Sequence, residues 1–129
     1  MTRRVVITGM AGVTAFGNDW QTVLPRLKAE RNAVQQMPDW KIYQGLNTNL
    51  GAPINDFELP AHYTRKKIRA MGRVSLLATR ATELALDSAG LLEHPVLTNG
   101  ETGIAYGSST GSTKQVGEFG AMINDKNTY

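Results

Sequence analysis

The chain has 129 residues, 41% of them hydrophobic, which fits one globular domain or part of one and is too short for two. It contains no cysteine, so disulfides, thiolate metal ligands and a cysteine nucleophile are excluded from this chain. The net charge of +3 is mild, and the sequence has neither a secretory signal nor the roughly 18 uninterrupted apolar residues of a membrane span. We therefore expect a cytoplasmic protein without a membrane segment.

The first predicted element is a strand from Arg4 to Thr8. Its consecutive β-branched residues are typical of a strand that is buried on both faces of a sheet. Asn18 or Asp19 is then placed to cap a helix that ends near residues 31–32.

Three glycines, Gly9, Gly12 and Gly17, follow this strand and raise two alternatives. They could form the phosphate-binding turn of a dinucleotide site, or they could allow a strand and a helix to pack closely. A dinucleotide site also requires an acidic residue at the end of a second strand. Glu30 lies in a helical pattern and Asp39 follows no β-branched run, which favours packing.

The remaining elements follow in chain order. Residues 33–63 contain three prolines and are predicted to be mostly loop, with one short strand at most. A long helix is predicted from Thr64 to Ala89, where Gly90 ends it. Residues 102–106 are predicted to form a second strand, and the glycine turn at 107–112 is predicted to open a last helix through residues 118–123. This order predicts an α/β fold with a mostly parallel sheet.

The long helix begins with a basic interval. Between Glu58 and Glu83 there is no acidic residue, while six basic residues occur: Arg65, Lys66, Lys67, Arg69, Arg73 and Arg80. Such an interval fits an acidic partner or an ordinary solvated helix face. Nucleic acid is disfavoured because few aromatic residues are interleaved with the basic ones.

Three segments resemble the N-terminal part of β-ketoacyl-acyl-carrier-protein synthases, the elongating condensing enzymes of the thiolase superfamily. They are RRVVITGMAGVTAFGN, RAMGRVSLLATRATELALDSAGL and TGIAYGSSTGS. The resemblance covers essentially all 129 residues and implies an α/β, thiolase-like layered fold, with residues 1–129 as its N-terminal segment. It also implies that the opening glycines serve packing and that the chain is a fragment of a longer protein.

The sequence departs from the family pattern at several positions. Ala11 replaces the usual second glycine, with Gly12 displaced by one, and Gly72 replaces the usual aspartate after the methionine. Ser109 and Ser112 replace glycines of the third motif. These departures indicate a divergent subfamily.

The resemblance implies a decarboxylative Claisen condensation of an acyl thioester with malonyl-acyl carrier protein, in fatty acid or polyketide biosynthesis. It implies no cofactor and no metal. In the family the nucleophilic cysteine lies beyond this segment, so the chain alone is expected to be inactive. The alternatives are a non-catalytic partner subunit of the chain-length-factor type, an NAD-dependent reductase and a plain binding domain that uses the basic helix.

The resemblance also assigns candidate site residues. Lys66 and Arg69 match positions that meet the acidic acyl carrier protein, and Thr110 matches a position that lines the acyl pocket near the interface of a homodimer or heterodimer. His62 and His94 do not match the catalytic histidines and are interpreted as ordinary surface or loop residues.

Overall fold

The computed structural model describes residues 4–109 and 111–126. The helices are α1 (Trp20–Lys28), α2 (Arg65–Ile68), α3 (Arg73–Ser88) and α4 (Thr113–Asp125), with 3₁₀ turns at Pro38–Ile42 and Pro95–Leu97. Two short strands, β1 (Gln35–Gln36) and β2 (Leu50–Gly51), pair antiparallel. The long connection at residues 33–63 thus contains a small hairpin rather than one strand at most.

Helix α1 begins where the sequence indicates and ends earlier. Of the two candidate caps, Asp19 is the one observed, because its side-chain oxygen accepts a hydrogen bond from the Thr22 amide at 2.7 Å. The prediction that the helix continues to residues 31–32 is wrong. Glu30 adopts a left-handed φ of 51°, and the Arg31 amide bonds back to the Arg26 carbonyl, which closes the helix after Lys28.

The predicted helix from Thr64 to Ala89 is interrupted. It consists of α2 and α3, separated by residues 69–72. Gly72 has extended backbone angles and stands as the N-cap of α3. Glycine lowers helix stability by about 1 kcal/mol relative to alanine, so the continuous apolar stripe alone overstated the helix here. The predicted end is confirmed: Gly90 has a φ of 67° and follows the last turn.

Residues 4–8 and 102–106 form no ladder with any described segment, so the two predicted strands and their parallel sheet are not observed there. A strand exists only through the backbone groups of a neighbour. The sequence shows which residues favour strands, but it does not show whether a neighbouring strand is available for backbone pairing. The segment 102–106 nevertheless lies against α3, since the Tyr106 hydroxyl contacts the Thr82 hydroxyl.

The last helix matches its prediction. Ser112 stands at its N-cap, and α4 continues to Asp125, just beyond the predicted end. Its apolar side chains are exposed, among them Val116, Phe119 and Ile123.

No side chain in the described part of the chain is fully buried. The most protected stretch is residues 76–86 of α3, which are half-buried. Helix α3 is therefore the best-protected helix in the described part of the chain. None of the helices within the described ranges combines the length and apolar character needed to cross a membrane.

Candidate functional site

The basic surface is formed by α2 and its C-cap, and we define it as Arg65, Lys66, Lys67 and Arg69. All of these side chains are exposed. Among the described residues, none of them makes an ion pair within 4.0 Å. Their charges thus face solvent without internal neutralisation, and an acidic partner could approach them directly.

Helix α2 is short and is held mainly at its start. The Thr64 carbonyl accepts hydrogen bonds from the Lys67 amide at 2.9 Å and the Ile68 amide at 3.2 Å. Ile68 is half-buried and lines a cavity next to α3. The basic side chains are consequently placed by one helical turn and one apolar anchor.

Gly111 and Ser112, at the end of the predicted glycine turn, lie against the junction between α2 and α3. A Cβ built on Gly72 would come within 3.3 Å of the Ser112 Oγ and the Gln115 Cδ. A Cβ on Gly111 would clash with the Val74 side chain. The structure therefore brings the end of the third motif against the start of α3. Thr110 itself lies outside the described residues.

A polar cluster that the sequence did not reveal lies between α3 and the residues before α2. We call it the Glu83 cluster: His62, Tyr63, Arg80 and Glu83. The Tyr63 hydroxyl donates to Glu83 Oε2 at 3.1 Å, Arg80 donates to the same oxygen, and His62 Nε2 contacts Oε1. The His62 and Tyr63 rings meet edge to face, with centroids 4.9 Å apart.

The electrostatics of this cluster favour the carboxylate form of Glu83. Burial by itself would raise the pKa of Glu83, but hydrogen bonds from Arg80, Tyr63 and His62 outweigh it and hold the pKa below its ordinary value. Burial and the hydrogen bond to Glu83 raise the pKa of Tyr63. The cluster is thus a carboxylate surrounded by donors. Only the spacing of Arg80 and Glu83 on one helix face could have indicated it from the sequence.

The histidines differ in their surroundings. His94 Nδ1 accepts a hydrogen bond from the Val96 amide at 3.1 Å, which caps a 3₁₀ turn, as expected of an ordinary loop residue. His62 is exposed, yet it contacts Glu83 and belongs to the cluster. The interpretation of His62 as an ordinary surface residue therefore misses this contact.

A cavity of about 420 Å³ adjoins the cluster. Its walls combine apolar side chains with the rim of the Glu83 cluster, and they include Ile68, Met71, Leu86, Ile104 and Tyr106. In the described ranges no group of three or more histidine, aspartate or glutamate side chains could hold a metal ion.

The first of the opening glycines, Gly9, packs against the end of α3. A Cβ on Gly9 would clash with the Ala85 carbonyl oxygen and lie 2.8 Å from the Ala89 Cβ, so the end of α3 already fills the space over this glycine. This confirms the packing interpretation for Gly9. A Cβ on Gly12 would have only the Thr14 methyl group nearby, at 3.8 Å, so close packing does not require a glycine at this position.

Comparisons with known proteins agree with the three motifs. Residues 2–128 match the N-terminal domain of β-ketoacyl synthase. The chain is 32% identical over 110 residues to 3-oxoacyl-[acyl-carrier-protein] synthase 1 of Haemophilus influenzae, covering 85% of this chain and 26% of that protein. It is 36% identical over 92 residues to nodulation protein E of Rhizobium meliloti, covering 70% of this chain and 22% of that protein.

A solved structure extends this likeness to the fold. A β-ketoacyl synthase from Burkholderia phymatum superposes with a TM-score of 0.88 at 49% identity, covering 98% of this chain and 31% of that one. The chain thus spans about a fifth to a third of the length of these relatives. The predicted α/β, thiolase-like fold is confirmed for this N-terminal part, and the reductase alternative is set aside. The chain belongs to the β-ketoacyl synthase family, whose N-terminal domain it matches along almost its whole length.

Proposed function

We propose that residues 1–129 are the N-terminal segment of a ketosynthase domain that condenses an acyl thioester with malonyl-acyl carrier protein, in fatty acid or polyketide biosynthesis. The match of residues 2–128 to the β-ketoacyl synthase N-terminal domain carries this proposal. In the reaction the acyl group moves to a cysteine thiolate, and the malonyl thioester loses carbon dioxide. The resulting carbanion attacks the acyl carbonyl and expels the thiolate.

The chain by itself is inactive in this proposal, because it has no cysteine. The nucleophile must be supplied by another part of the full-length protein. Should the full-length protein lack such a cysteine, the chain would belong to a non-catalytic partner subunit of the chain-length-factor type.

The test is a condensation assay on the full-length protein, with an acyl-carrier-protein thioester and malonyl-acyl carrier protein as substrates. We expect equal release of carbon dioxide and β-ketoacyl product, and no product from the 129-residue chain under the same conditions. A full-length protein that binds acyl carrier protein but forms no product would favour the partner-subunit alternative.

The basic surface is proposed to dock acyl carrier protein, with Lys66 and Arg69 as the main contacts. Two features support this: both side chains are exposed, and neither is paired with an acid of the described residues. Contacts of this kind act over about 10 Å at 0.1 M salt, so added salt should weaken the complex.

Docking is tested by titrating acyl carrier protein against the full-length protein. Lys66→Glu and Arg69→Glu should each weaken binding by roughly tenfold, as expected for reversing a charge opposite an acidic partner. Lys41→Glu is the matched control, because it makes the same charge change at an exposed residue of a 3₁₀ turn. Equal affinities for all four proteins would refute the docking proposal.

Thr110 is proposed to line the acyl pocket and to influence which chains fit. This rests on the family resemblance alone. Thr110→Phe should shift the product distribution of the full-length protein toward shorter acyl chains, because a larger side chain shortens the pocket. An unchanged distribution in a variant of normal thermal stability would contradict it.

We further propose that the full-length protein is cytoplasmic and forms a homodimer or heterodimer. Sedimentation of the full-length protein would test the oligomeric state.

A further inference from the structure

The Glu83 cluster joins α3 to the chain that leads into α2. His62 and Tyr63 directly precede Thr64, the N-cap of α2, while Arg80 and Glu83 lie on α3. Tyr63 and Glu83 are 20 residues apart in the chain, so their hydrogen bond is a tertiary contact. The Glu83 side chain is 23% exposed and the Arg80 side chain 24%, so both are partly withdrawn from solvent.

Apart from the Ile68 anchor, helix α2 has little else to fix its orientation. It has four residues, and an isolated helix of this length is unstable in water. Its backbone hydrogen bonds start from Thr64, the residue next to Tyr63. The direction in which Lys66 and Arg69 point therefore depends on where the segment 62–64 is held against α3.

From this geometry we infer that Glu83 is a positioning residue for the basic surface. The inference rests on the proposed docking of acyl carrier protein. Glu83 does not touch the partner; it acts through Tyr63 and His62 on the start of α2. Other titratable or charged groups at the same place are Arg80 of α3, Lys67 of α2 and Tyr106 of the 102–106 segment.

A long-range charge effect and a positioning role of Glu83 predict opposite changes in the affinity for acyl carrier protein when Glu83→Gln is introduced. Glu83 is a negative charge close to a basic surface that attracts an acidic protein. If only long-range charge mattered, its removal would strengthen binding. If Glu83 positions α2, its removal weakens binding, since amide oxygens are poorer acceptors for Arg80, Tyr63 and His62 than a carboxylate.

The experiment measures the affinity of the full-length protein for acyl carrier protein at neutral pH. We expect Glu83→Gln to bind roughly 3- to 10-fold more weakly than wild type, within the range of coupling in one side-chain network. His62→Gln should weaken binding in the same direction, while His94→Gln, the matched control at the other histidine, should behave as wild type.

Tyr63→Phe provides a milder variant should Glu83→Gln unfold, because it keeps the ring and removes only the hydroxyl that donates to Glu83. It should weaken binding in the same direction. Affinity in Glu83→Gln and Tyr63→Phe that equals or exceeds wild type would overturn the inference. If Lys66→Glu and Arg69→Glu also leave binding unchanged, the docking proposal itself fails. If those two weaken binding, only the positioning role is refuted.

Discussion

At the scale of single residues, the opening glycines have different tasks. Gly9 lets the backbone lie against the last turn of α3. Gly17 has a φ of 136°, a conformation that residues with a Cβ rarely adopt, and it pairs with Thr14 in a tight turn. Gly12 meets neither condition. A glycine-rich stretch is thus a set of separate local requirements rather than one motif.

This difference predicts how alanine substitutions act on the full-length protein. Gly9→Ala should lower the free energy of unfolding by about 1–3 kcal/mol, because its methyl group meets the Ala85 carbonyl and Ala89. Gly12→Ala is the control and should be neutral or slightly stabilising, since its methyl group has room. Urea unfolding measures both. Equal effects of the two substitutions would contradict the packing role of Gly9.

The N-cap role of Asp19 leads us to predict that its contribution to the stability of the fold depends on pH. Hydrogen bonds from Thr22, side chain first and then backbone, hold the pKa of Asp19 below its ordinary value. A lowered pKa in the folded state means that the carboxylate stabilises the fold above the ordinary pKa of the group, and that this contribution is lost as pH falls through the lowered pKa.

The variant Asp19→Asn isolates this contribution, because asparagine still accepts a hydrogen bond at an N-cap but does not titrate there. The difference in unfolding free energy between wild type and variant should therefore shrink from pH 5 to pH 2. A difference that stays constant over this range would show that Asp19 does not titrate as described.

At the scale of elements, the sequence identified most helices and misjudged what joins them. The cap at Asp19, the end at Gly90 and the span of α4 follow from local rules, and the structure confirms them. The break at Gly72 was not predicted, because the apolar stripe continues across a residue of low helix propensity. Gly72 also packs closely against Ser112 and Gln115, about forty residues further along the chain, and the sequence pattern does not show this contact.

The contact between the glycine turn and α3 gives a prediction at this scale. Gly111→Ala should destabilise the full-length protein by about 1–3 kcal/mol, because its methyl group overlaps the Val74 side chain. Val74→Ala removes that side chain, so the double variant should lose at least about 0.5 kcal/mol less than the sum of the single variants. Urea unfolding of the cycle measures the coupling. Strictly additive effects would mean that the turn and α3 do not touch there.

The candidate site shows the same limit of sequence reasoning. The exposure of Lys66 and Arg69 was foreseeable, because a run of basic residues without acids favours solvent. The Glu83 cluster was not, because His62 and Tyr63 are brought to Glu83 by the fold rather than by spacing. Residues that position a charged surface can therefore be distant from that surface in the sequence.

At the scale of the whole molecule, apolar residues that are expected to form a core are among the most exposed in the described part of the chain. Val5 is 96% exposed, Ile7 80% and Ile104 74%, although each lies in a run typical of buried strands. In the described part of the chain these side chains have no covering layer. The sequence therefore carries the pattern of a layered fold whose layers do not close among these residues.

This exposure predicts how the 129-residue polypeptide behaves by itself. Cooperative unfolding requires apolar side chains that leave water together, and here none is fully buried in the described ranges. We expect strong binding of the dye ANS, broad thermal unfolding by circular dichroism, and helical signal at low temperature from α3 and α4. Val5→Lys with Ile7→Lys should reduce dye binding by removing exposed apolar surface. A sharp two-state transition without dye binding would contradict this, since it would require a buried core that the described residues lack.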